Sequence, residues 1–264
     1  MDVHGRVVVV TGAASGIGKA LCNKFLAEGA SNVVAADRDE DALETLRNEI
    51  SCTPITCDVS RERDITLLVE ATERTIGAID LFCSNAGVAV GFDNSFVNAA
   101  AQTDDVWRRA WEVNVMAHVY AARVLVPRMT ARGGGYFLNT ASAAGLLSQI
   151  GSAAYATTKY AAIAFAETLA ITHRKDGIRV SVLCPQAVDT PMLRGIPSGP
   201  QSLDGILSAD AVADAALKGI QREQFLILPH PSVQKYMQRK VTDYDLWLKK
   251  MSELQDKVSL AGGG

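Results

Sequence analysis

Seven short runs of apolar and β-branched residues recur along this chain, and longer segments with helical periodicity separate them. Parallel neighbouring strands need such crossover segments, whereas antiparallel strands can be joined by tight turns. The alternation therefore predicts an α/β chain with a doubly wound parallel sheet of seven strands flanked by helices, in a single domain. The predicted strands are 7–10, 33–36, 55–57, 81–84, 136–140, 179–184 and 225–228.

The segments between these runs carry the helical pattern. Predicted helices span 15–28, 40–50, 62–76, 104–131, 153–175 and 209–221, with two further pieces after residue 231. We expect the sheet and its helices to occupy residues 1–230, and residues 231–264 to form a helical extension packed on the same domain. Within this extension, Thr242 is predicted to cap the second helix. The closing AGGG is predicted to be disordered.

Composition narrows the classes of partner. The 264-residue chain has a formal net charge of -3 and 48% hydrophobic residues. It has no basic surplus for nucleic acid or an anionic membrane, and no segment reaches the roughly 18 apolar residues of a spanning helix. Its five cysteines are scattered, without metal-ligand spacing, which indicates reduced thiols. We expect a cytoplasmic protein with no nucleic-acid partner, no membrane contact and no metal.

A glycine-rich stretch, TGAASGIG, joins the first predicted strand to the first predicted helix. Glycine permits positive φ and close approach of the backbone, and a helix N-terminus attracts anions, so the stretch predicts a pyrophosphate-binding turn. Asp37 lies nineteen residues beyond Gly18, where a carboxylate can bind both hydroxyls of an adenine ribose. This favours NAD over NADP, although the adjacent Arg38 is a side chain that can bind a 2′-phosphate.

Tyr155 and Lys159 stand four residues apart on a predicted helix and therefore share one face. A cation about 4 Å from the phenol, at an effective dielectric constant of about 20, would favour the phenolate by about 4 kcal/mol. Ser142 follows the strand that ends at Thr140, at the carboxyl edge where doubly wound sheets bind ligands. These residues are candidates for acid/base chemistry, while Tyr-xxx-Lys alone is also a common exposed helix pair.

Several motifs in register give the sequence a close resemblance to the short-chain dehydrogenase/reductase family, from Arg6 to about Leu228. The motifs are TGxxxGxG at Thr11–Gly18, CDV with Asp58 and Val59, SNAG at Ser84–Gly87, EVNV with Asn114, NTAS with Ser142, YATTK with Tyr155 and Lys159, and CPQAVDT with Pro185, Val188 and Thr190. The resemblance implies a Rossmann-like fold, a dinucleotide-binding domain that includes the catalytic site, and oxidoreductase activity. The sequence departs from the family at Gln186, where the family has glycine, and after Phe225.

The resemblance also implies residue roles. Its catalytic tetrad would be Asn114, Ser142, Tyr155 and Lys159. Tyr155 would exchange the substrate proton, Ser142 would orient the substrate oxygen, Lys159 would lower the Tyr155 pKa and bind the nicotinamide ribose, and Asn114 would hold a relay water. The implied NAD-binding residues are Gly12, Ser15, Gly16, Ile17, Gly18, Asp37, Arg38, Asp58, Val59, Asn85, Ala86, Gly87, Tyr155, Lys159, Pro185, Val188 and Thr190.

The segments that line substrate pockets in this family are mostly apolar here. They contain Phe92, Ala144, Leu147, Gln149, Gln186, Met192, Leu193 and Ile196. This lining favours a hydrophobic secondary alcohol or its ketone as the small-molecule substrate. Small residues along 153–172 favour a homo-oligomer, either a dimer or a tetramer. Two alternatives stay open: a non-catalytic NAD(H)-sensing or scaffolding protein, and a nucleotide-sugar epimerase or dehydratase.

Overall fold

A computed structural model describes residues 1–93, 95–194 and 199–261. Its centre is one sheet of seven parallel strands in the order β3-β2-β1-β4-β5-β6-β7. The predicted fold class is confirmed. The strands are β1 (Val7–Thr11), β2 (Asn32–Asp37), β3 (Thr53–Thr56), β4 (Leu81–Ser84), β5 (Gly135–Thr140), β6 (Ile178–Leu183) and β7 (Leu226–Ile227). The strand order reverses between β1 and β4, so their carboxyl ends open a crevice of the kind that binds ligands in doubly wound sheets.

Helices cover both faces of the sheet. They are α1 (Gly16–Ala27), α2 (Glu40–Glu49), α3 (Glu62–Thr75), α4 (Asp104–Trp111), α5 (Ala117–Ala131), α6 (Ala144–Leu147), α7 (Ala153–His173), α8 (Pro191–Arg194), α9 (Ala209–Gln221), α10 (Ser232–Thr242) and α11 (Tyr244–Ala261). No helix among the described residues is both long enough and apolar enough to cross a membrane.

The hydrophobic core forms two layers because side chains alternate between the two faces of each strand. On one face, Val9 and Phe82 pack with residues of α3, α5 and α7. On the other face, Val8, Val10 and Val33 pack with residues of α1, α2 and α9. The helix residues of the first layer include Leu68, Leu125 and Ala166, and those of the second include Leu21, Phe25, Leu43 and Ile220. Burial on both faces accounts for strands that read as continuous apolar runs.

Most strands begin and end within one residue of their predicted ranges, but the two edge strands pair over ranges different from those predicted. β3 pairs with β2 over Thr53–Thr56, not over 55–57, and β7 keeps only Leu226 and Ile227 of the predicted 225–228. Both are edge strands with a single neighbour, so the ladder on one side alone sets their length.

The predicted helix 104–131 is interrupted. A π-helical turn, Glu112–Met116, separates α4 from α5. A π-turn inserts one extra residue into a helix without requiring residues of different helix propensity. The helical sequence pattern therefore continues through the turn and does not reveal it. Asn114 lies inside this turn.

The carboxyl-terminal segment forms α10 and α11, and Val233 and Trp247 pack with Leu147. The cap of the second helix was predicted wrongly: Thr242 is still part of α10, and the Asp243 carboxylate accepts from the Leu246 amide at 2.9 Å. The domain division at residue 230 stays a prediction. Of the closing AGGG, which was predicted to be disordered, Ala261 is instead the last residue of α11, and the glycines 262–264 lie outside the described residues.

Candidate active site

One large cleft, with a volume of about 700 Å³, opens at the carboxyl edge of the sheet. It brings together the predicted site residues from every motif except EVNV. Of those that the structure describes, all line the cleft except Asn114, which lies behind its wall. Ile196 lies outside the described residues.

The glycine turn forms one end of this cleft, between β1 and α1. Gly12 and Gly16 have φ angles of +66° and +51°, a backbone conformation that residues with a side chain rarely adopt. A methyl group on Gly18 would collide with the Gly12 carbonyl oxygen. The Ser15 side chain makes no capping hydrogen bond to α1, whereas Asp39 caps α2 by accepting from the Ala42 amide at 3.0 Å. The N-terminus of α1 therefore presents amides without a side-chain cap to the cleft, which suits an anion.

Asp37 stands at the carboxyl end of β2, beside the glycine turn. Its carboxylate accepts from the amides of Ala14 at 3.1 Å and Asp39 at 3.2 Å. Arg38 also lines the cleft. These contacts fix the Asp37 carboxylate at the wall, where hydroxyl groups of a ligand can reach it.

Asp58 and Val59 line the same part of the cleft. Burial acts to raise the pKa of Asp58, but hydrogen bonds from Ser60 and the charges of Arg109 and Arg61 hold that pKa below its ordinary value. Arg109 lines the cleft as well, and the sequence analysis missed it. It lies on α4, close to the EVNV motif along the chain but outside it, so only the folded arrangement identifies it.

Asn85 holds the ends of three strands together. Its amide nitrogen donates to the carbonyl of Thr11 at 3.0 Å, and its amide oxygen accepts from the Thr140 hydroxyl at 3.0 Å. The Thr11 hydroxyl in turn accepts from the amides of Asn85 and Ala86, at 3.0 and 3.1 Å. These bonds tie β4 to β1 and β5, and so fix the glycine turn relative to Ser142.

Tyr155, Lys159 and Ser142 meet at the centre of the cleft. The Lys159 ammonium lies 5.7 Å from the centroid of the Tyr155 ring and donates to the Thr140 carbonyl at 3.1 Å. The Ser142 hydroxyl oxygen accepts from the Ala144 amide at 3.1 Å, which orients it. The helical spacing and the strand end thus place three chemically suited side chains together.

Burial shapes the titration of this group. It raises the pKa of Tyr155, and an interaction with the Ser142 hydroxyl acts in the opposite direction. Burial also lowers the pKa of Lys159 to about 8. The lysine charge alone predicts a lowered pKa for Tyr155. Desolvation disfavours the charged forms of both side chains, and the pKa of Tyr155 lies above its ordinary value in the protein without its cofactor.

Asn114 acts from behind this group, in the π-helical turn. Its amide nitrogen donates to the Val88 carbonyl at 2.9 Å and to the Thr158 hydroxyl at 3.1 Å, and its oxygen accepts from the Val88 amide at 2.9 Å. Both amide hydrogens are therefore used within the protein. The side chain clamps the segment after Gly87 to the helix that carries Lys159.

Comparison with known proteins agrees with this geometry. Residues 6–201 match the family model described as short chain dehydrogenase. The chain belongs to the short-chain dehydrogenase/reductase family. This makes it an oxidoreductase of the alcohol and carbonyl type.

Three similar proteins illustrate the relationship. This short-chain dehydrogenase is 37% identical over 235 residues to 1-deoxy-11-beta-hydroxypentalenate dehydrogenase of Streptomyces exfoliatus, covering 86% of this chain and 84% of the relative. It is 36% identical over 192 residues to 3beta-hydroxysteroid dehydrogenase 2 of Eggerthella lenta, covering 70% and 72%. A short chain dehydrogenase/reductase from Burkholderia phymatum, solved in complex with NAD, superposes with a TM-score of 0.82 at 29% identity, covering 93% and 96% of the two chains.

The far end of the cleft in this short-chain dehydrogenase has walls from two sources. The predicted residues Phe92, Leu147, Met192 and Leu193 supply one part. The carboxyl-terminal helices supply the other, and the sequence analysis missed this role. The additional lining residues are Tyr236, Arg239, Trp247, Lys250, Met251 and Leu254. The apolar periodicity of α11 was the available signal, but periodicity does not tell a cleft wall from packed core.

Gln186, the departure from the family glycine, does not stand free in the cleft. Its amide nitrogen donates to Asp204 at 3.1 Å, and its amide oxygen accepts from the Ser232 hydroxyl at 3.2 Å. The side chain therefore joins the segment after β6 to two other parts of the wall.

Proposed function

We propose that this protein is an NAD-dependent dehydrogenase that interconverts a hydrophobic secondary alcohol and its ketone, with Tyr155 as the general acid/base. The observation that carries the proposal is one continuous cleft, which contains the glycine turn at one end and Tyr155, Lys159 and Ser142 at its centre. A cofactor at the turn and a substrate beside Tyr155 would lie in the same space.

The residues at the turn fit a dinucleotide. Added methyl groups at Gly12 and Gly18 would collide with backbone atoms, so the turn has no room for a side chain at either position. The amides of α1 without a side-chain cap suit the pyrophosphate, and the Asp37 carboxylate suits ribose hydroxyls while disfavouring a 2′-phosphate. The NAD complex of the Burkholderia relative supports the same cofactor.

The chain's own residues account for the proton chemistry. NAD, when bound, supplies the acceptor for the hydride that leaves the carbinol carbon. In that direction the Tyr155 phenolate oxygen takes the proton of the alcohol hydroxyl, and the Ser142 hydroxyl holds the same substrate oxygen. In the reverse direction Tyr155 donates the proton to the ketone oxygen. Its raised pKa favours the protonated form that this step needs at neutral pH.

Lys159 and Asn114 complete the tetrad without contact with the reacting oxygen. The ammonium of Lys159, beside the Tyr155 ring, favours the phenolate that forms when Tyr155 has given up its proton. Asn114 fixes the Val88 segment and Thr158, and thereby the position of the neighbouring Lys159. Because both its amide hydrogens are used, we assign any relay water to the main chain of the π-helical turn.

The far wall is mainly apolar, with the cations Arg239 and Lys250 also among its lining residues, and it supports a hydrophobic substrate. Leu147, Met192, Trp247 and Met251 face the cleft beyond Tyr155. Two relatives are named for hydroxylated substrates, a hydroxypentalenate and a hydroxysteroid. Both features favour a secondary alcohol with a large apolar body over a small one.

The first test is NADH formation with NAD+ across a panel of hydrophobic secondary alcohols. Tyr155→Phe removes the proton acceptor, so we expect turnover to fall by about 100-fold or more, since acid/base groups contribute this much. NADH binding, measured by fluorescence titration, should stay near the wild-type value. Tyr120→Phe, on the partly buried Tyr120 of α5, is the matched control. Tight NADH binding by a wild-type protein that turns over no alcohol would contradict the proposal and favour the sensing alternative.

The second test concerns the cofactor. Asp37→Ala removes the carboxylate at the ribose end, so we expect NAD+ to bind about tenfold more weakly, the usual scale for hydrogen bonds to a charged group. The difference in affinity between NAD+ and NADP+ should become smaller, because the carboxylate that repels a 2′-phosphate is lost. Asp41→Ala, at an exposed acid in the first turn of α2, is the control. An unchanged preference would remove Asp37 from this role.

We further propose that the protein forms a homo-oligomer through α7. Its buried side consists largely of small residues, including Ala154, Ala162 and Ala166, while Ile171 on the same helix is 79% exposed. Trp111 at the end of α4 is also exposed, and α4 packs beside α7. Exposed large apolar side chains on neighbouring helices are typical of a protein interface.

A further inference from the structure

A cluster of polar side chains lies across the outer part of the cleft, next to the residue that orients the substrate oxygen. The Pro185 carbonyl accepts from the Ala143 amide at 2.8 Å and, more weakly, from the Ser142 hydroxyl at 3.4 Å. Gln186 is the next residue, and its backbone amide donates to Nδ1 of His230 at 3.2 Å. The backbone of Gln186 is thus fixed on the inner side of the cleft, one residue from a contact of Ser142.

The side chain of Gln186 reaches outward to Asp204. One Asp204 oxygen accepts from the Gln186 amide at 3.1 Å, and the other accepts from the Tyr236 hydroxyl at 3.0 Å. Ser232 completes the set by donating to the Gln186 amide oxygen. We call Gln186, Asp204 and Tyr236 the Asp204 bridge. It joins three separate parts of the chain: the segment after β6, the segment 199–207 and α10.

The bridge fixes a part of the wall that is also attached elsewhere. Within this part, the Gln201 side chain accepts from the Gln149 side-chain amide at 3.2 Å. Residues 199–207 are tied to the segment after β6 by main-chain bonds at Leu207, whose amide donates to Ala187 at 3.1 Å and whose carbonyl accepts from Asp189 at 2.9 Å. Three residues earlier, Asp204 supplies a side-chain attachment. Leu203 lines the cleft beside Asp204, and Tyr236 lines it from α10. Without the bridge, both contributions to the wall would lose a common anchor.

We propose that the Asp204 bridge positions the outer wall of the substrate cleft and thereby sets the affinity for bulky alcohols. The three members are positioning residues, since none needs to touch the reacting atoms. The proposal rests on the proposed function for its substrate readout. A glycine at position 186, as in the family resemblance, has no side chain to reach Asp204, so the bridge distinguishes this chain from that pattern.

An exchange of donor and acceptor tests the bridge. Gln186→Glu keeps the size of the side chain but sets a carboxylate against Asp204, which should break the bridge by like-charge repulsion. Asp204→Asn combined with Gln186→Glu restores one amide donor and one carboxylate acceptor, and leaves suitable acceptors for Tyr236 and Ser232. Gln234→Glu makes the same chemical change at an exposed residue of α10 and is the control.

For Gln186→Glu we expect the KM of a bulky secondary alcohol to rise about fivefold, the scale of one lost hydrogen bond. Its kcat and its NADH affinity should stay within about twofold, as should the KM of a small alcohol that does not reach the outer wall. The double variant should return the KM of the bulky alcohol to near the wild-type value, and Gln234→Glu should not change it. Equal effects on large and small alcohols, or no rescue in the double variant, would overturn the proposal.

Hydrogen–deuterium exchange separates a failure of the bridge from a failure of the proposed function. It needs no substrate. Amides of 199–207 should exchange faster in Gln186→Glu and return toward the wild-type rate in the double variant, because a lost anchor permits local opening. Unchanged exchange in Gln186→Glu would overturn the bridge even if the enzyme oxidises alcohols. Faster exchange with rescue, in a protein that turns over no alcohol, would retain the anchor and reject the substrate role.

Discussion

At the scale of single residues, the buried charge of Lys159 destabilises the fold but is needed for the proposed proton transfer. Its side chain is 3% exposed, and no acidic partner lies within salt-bridge distance among the described residues. Its ammonium donates a hydrogen bond to the Thr140 carbonyl at 3.1 Å. Burial of an unpaired ammonium is costly, and the lowered pKa of about 8 reflects that cost. The same charge beside Tyr155 is what the proposed proton transfer uses.

Lys159→Met should therefore stabilise the cofactor-free protein while abolishing turnover. The pKa of Lys159 falls from 10.5 in the reference state to about 8 in the fold, a difference of about 3 kcal/mol at about 1.4 kcal/mol per unit. The lost hydrogen bond to Thr140 offsets about 1 kcal/mol, which leaves a gain of about 2 kcal/mol below pH 8.

The stability difference between Lys159→Met and the wild type should depend on pH. Between about pH 8 and 10.5 the unfolded wild type binds more protons than the folded form, so its unfolding free energy rises with pH. The gain in unfolding free energy of Lys159→Met over the wild type should accordingly be largest below pH 8 and should decrease toward pH 10.5. Urea unfolding of both proteins at several pH values measures the difference. A variant less stable than wild type at pH 7 would show that packing, and not charge burial, dominates at this position.

At the scale of elements, the sequence was informative wherever one local pattern decides the structure. Buried central strands such as β1 and β5 are runs of apolar and β-branched residues, and the predicted and observed ranges of each differ by one residue at one end only. The edge strands β3 and β7 differ more, because their length depends on pairing with one neighbour. The π-helical turn at Asn114 was not predictable, since contacts of Asn114 with Val88 and Thr158, distant along the chain, accompany it.

The candidate site divides in the same way. Residues in compact motifs, such as Gly12 and Tyr155, could be found because their neighbours in sequence are also their neighbours in the fold. Trp247 and Arg109 line the same cleft but belong to no motif, and only tertiary packing brings them there. Gln186 was recognised as a departure from the family pattern. Its partners Asp204 and Tyr236 were not, because 18 and 50 residues separate them from it along the chain.

At the scale of the whole molecule, the proposed oligomer explains why α7 is apolar on more than one side. One side packs on the sheet and carries Lys159 into the cleft, while Ile171 faces solvent in the single chain. An exposed isoleucine near the end of a long, otherwise well-packed helix contributes nothing to the monomer's core. A second copy that covers α7 would bury it, and would also hold the helix that carries Tyr155.

Ile171→Glu tests this arrangement. A glutamate buried without a partner in an interface is strongly unfavourable, so we expect the assembly to weaken by at least about 30-fold in dissociation constant. Light scattering across a dilution series measures the mass. Leu246→Glu, at a position of α11 that is 50% exposed, makes a comparable change away from α7 and should leave the mass unchanged. A wild-type protein that is monomeric at micromolar concentration, or an Ile171→Glu variant with the wild-type mass, would contradict an interface at α7. Loss of turnover together with loss of mass would show that the second copy supports the Tyr155 helix.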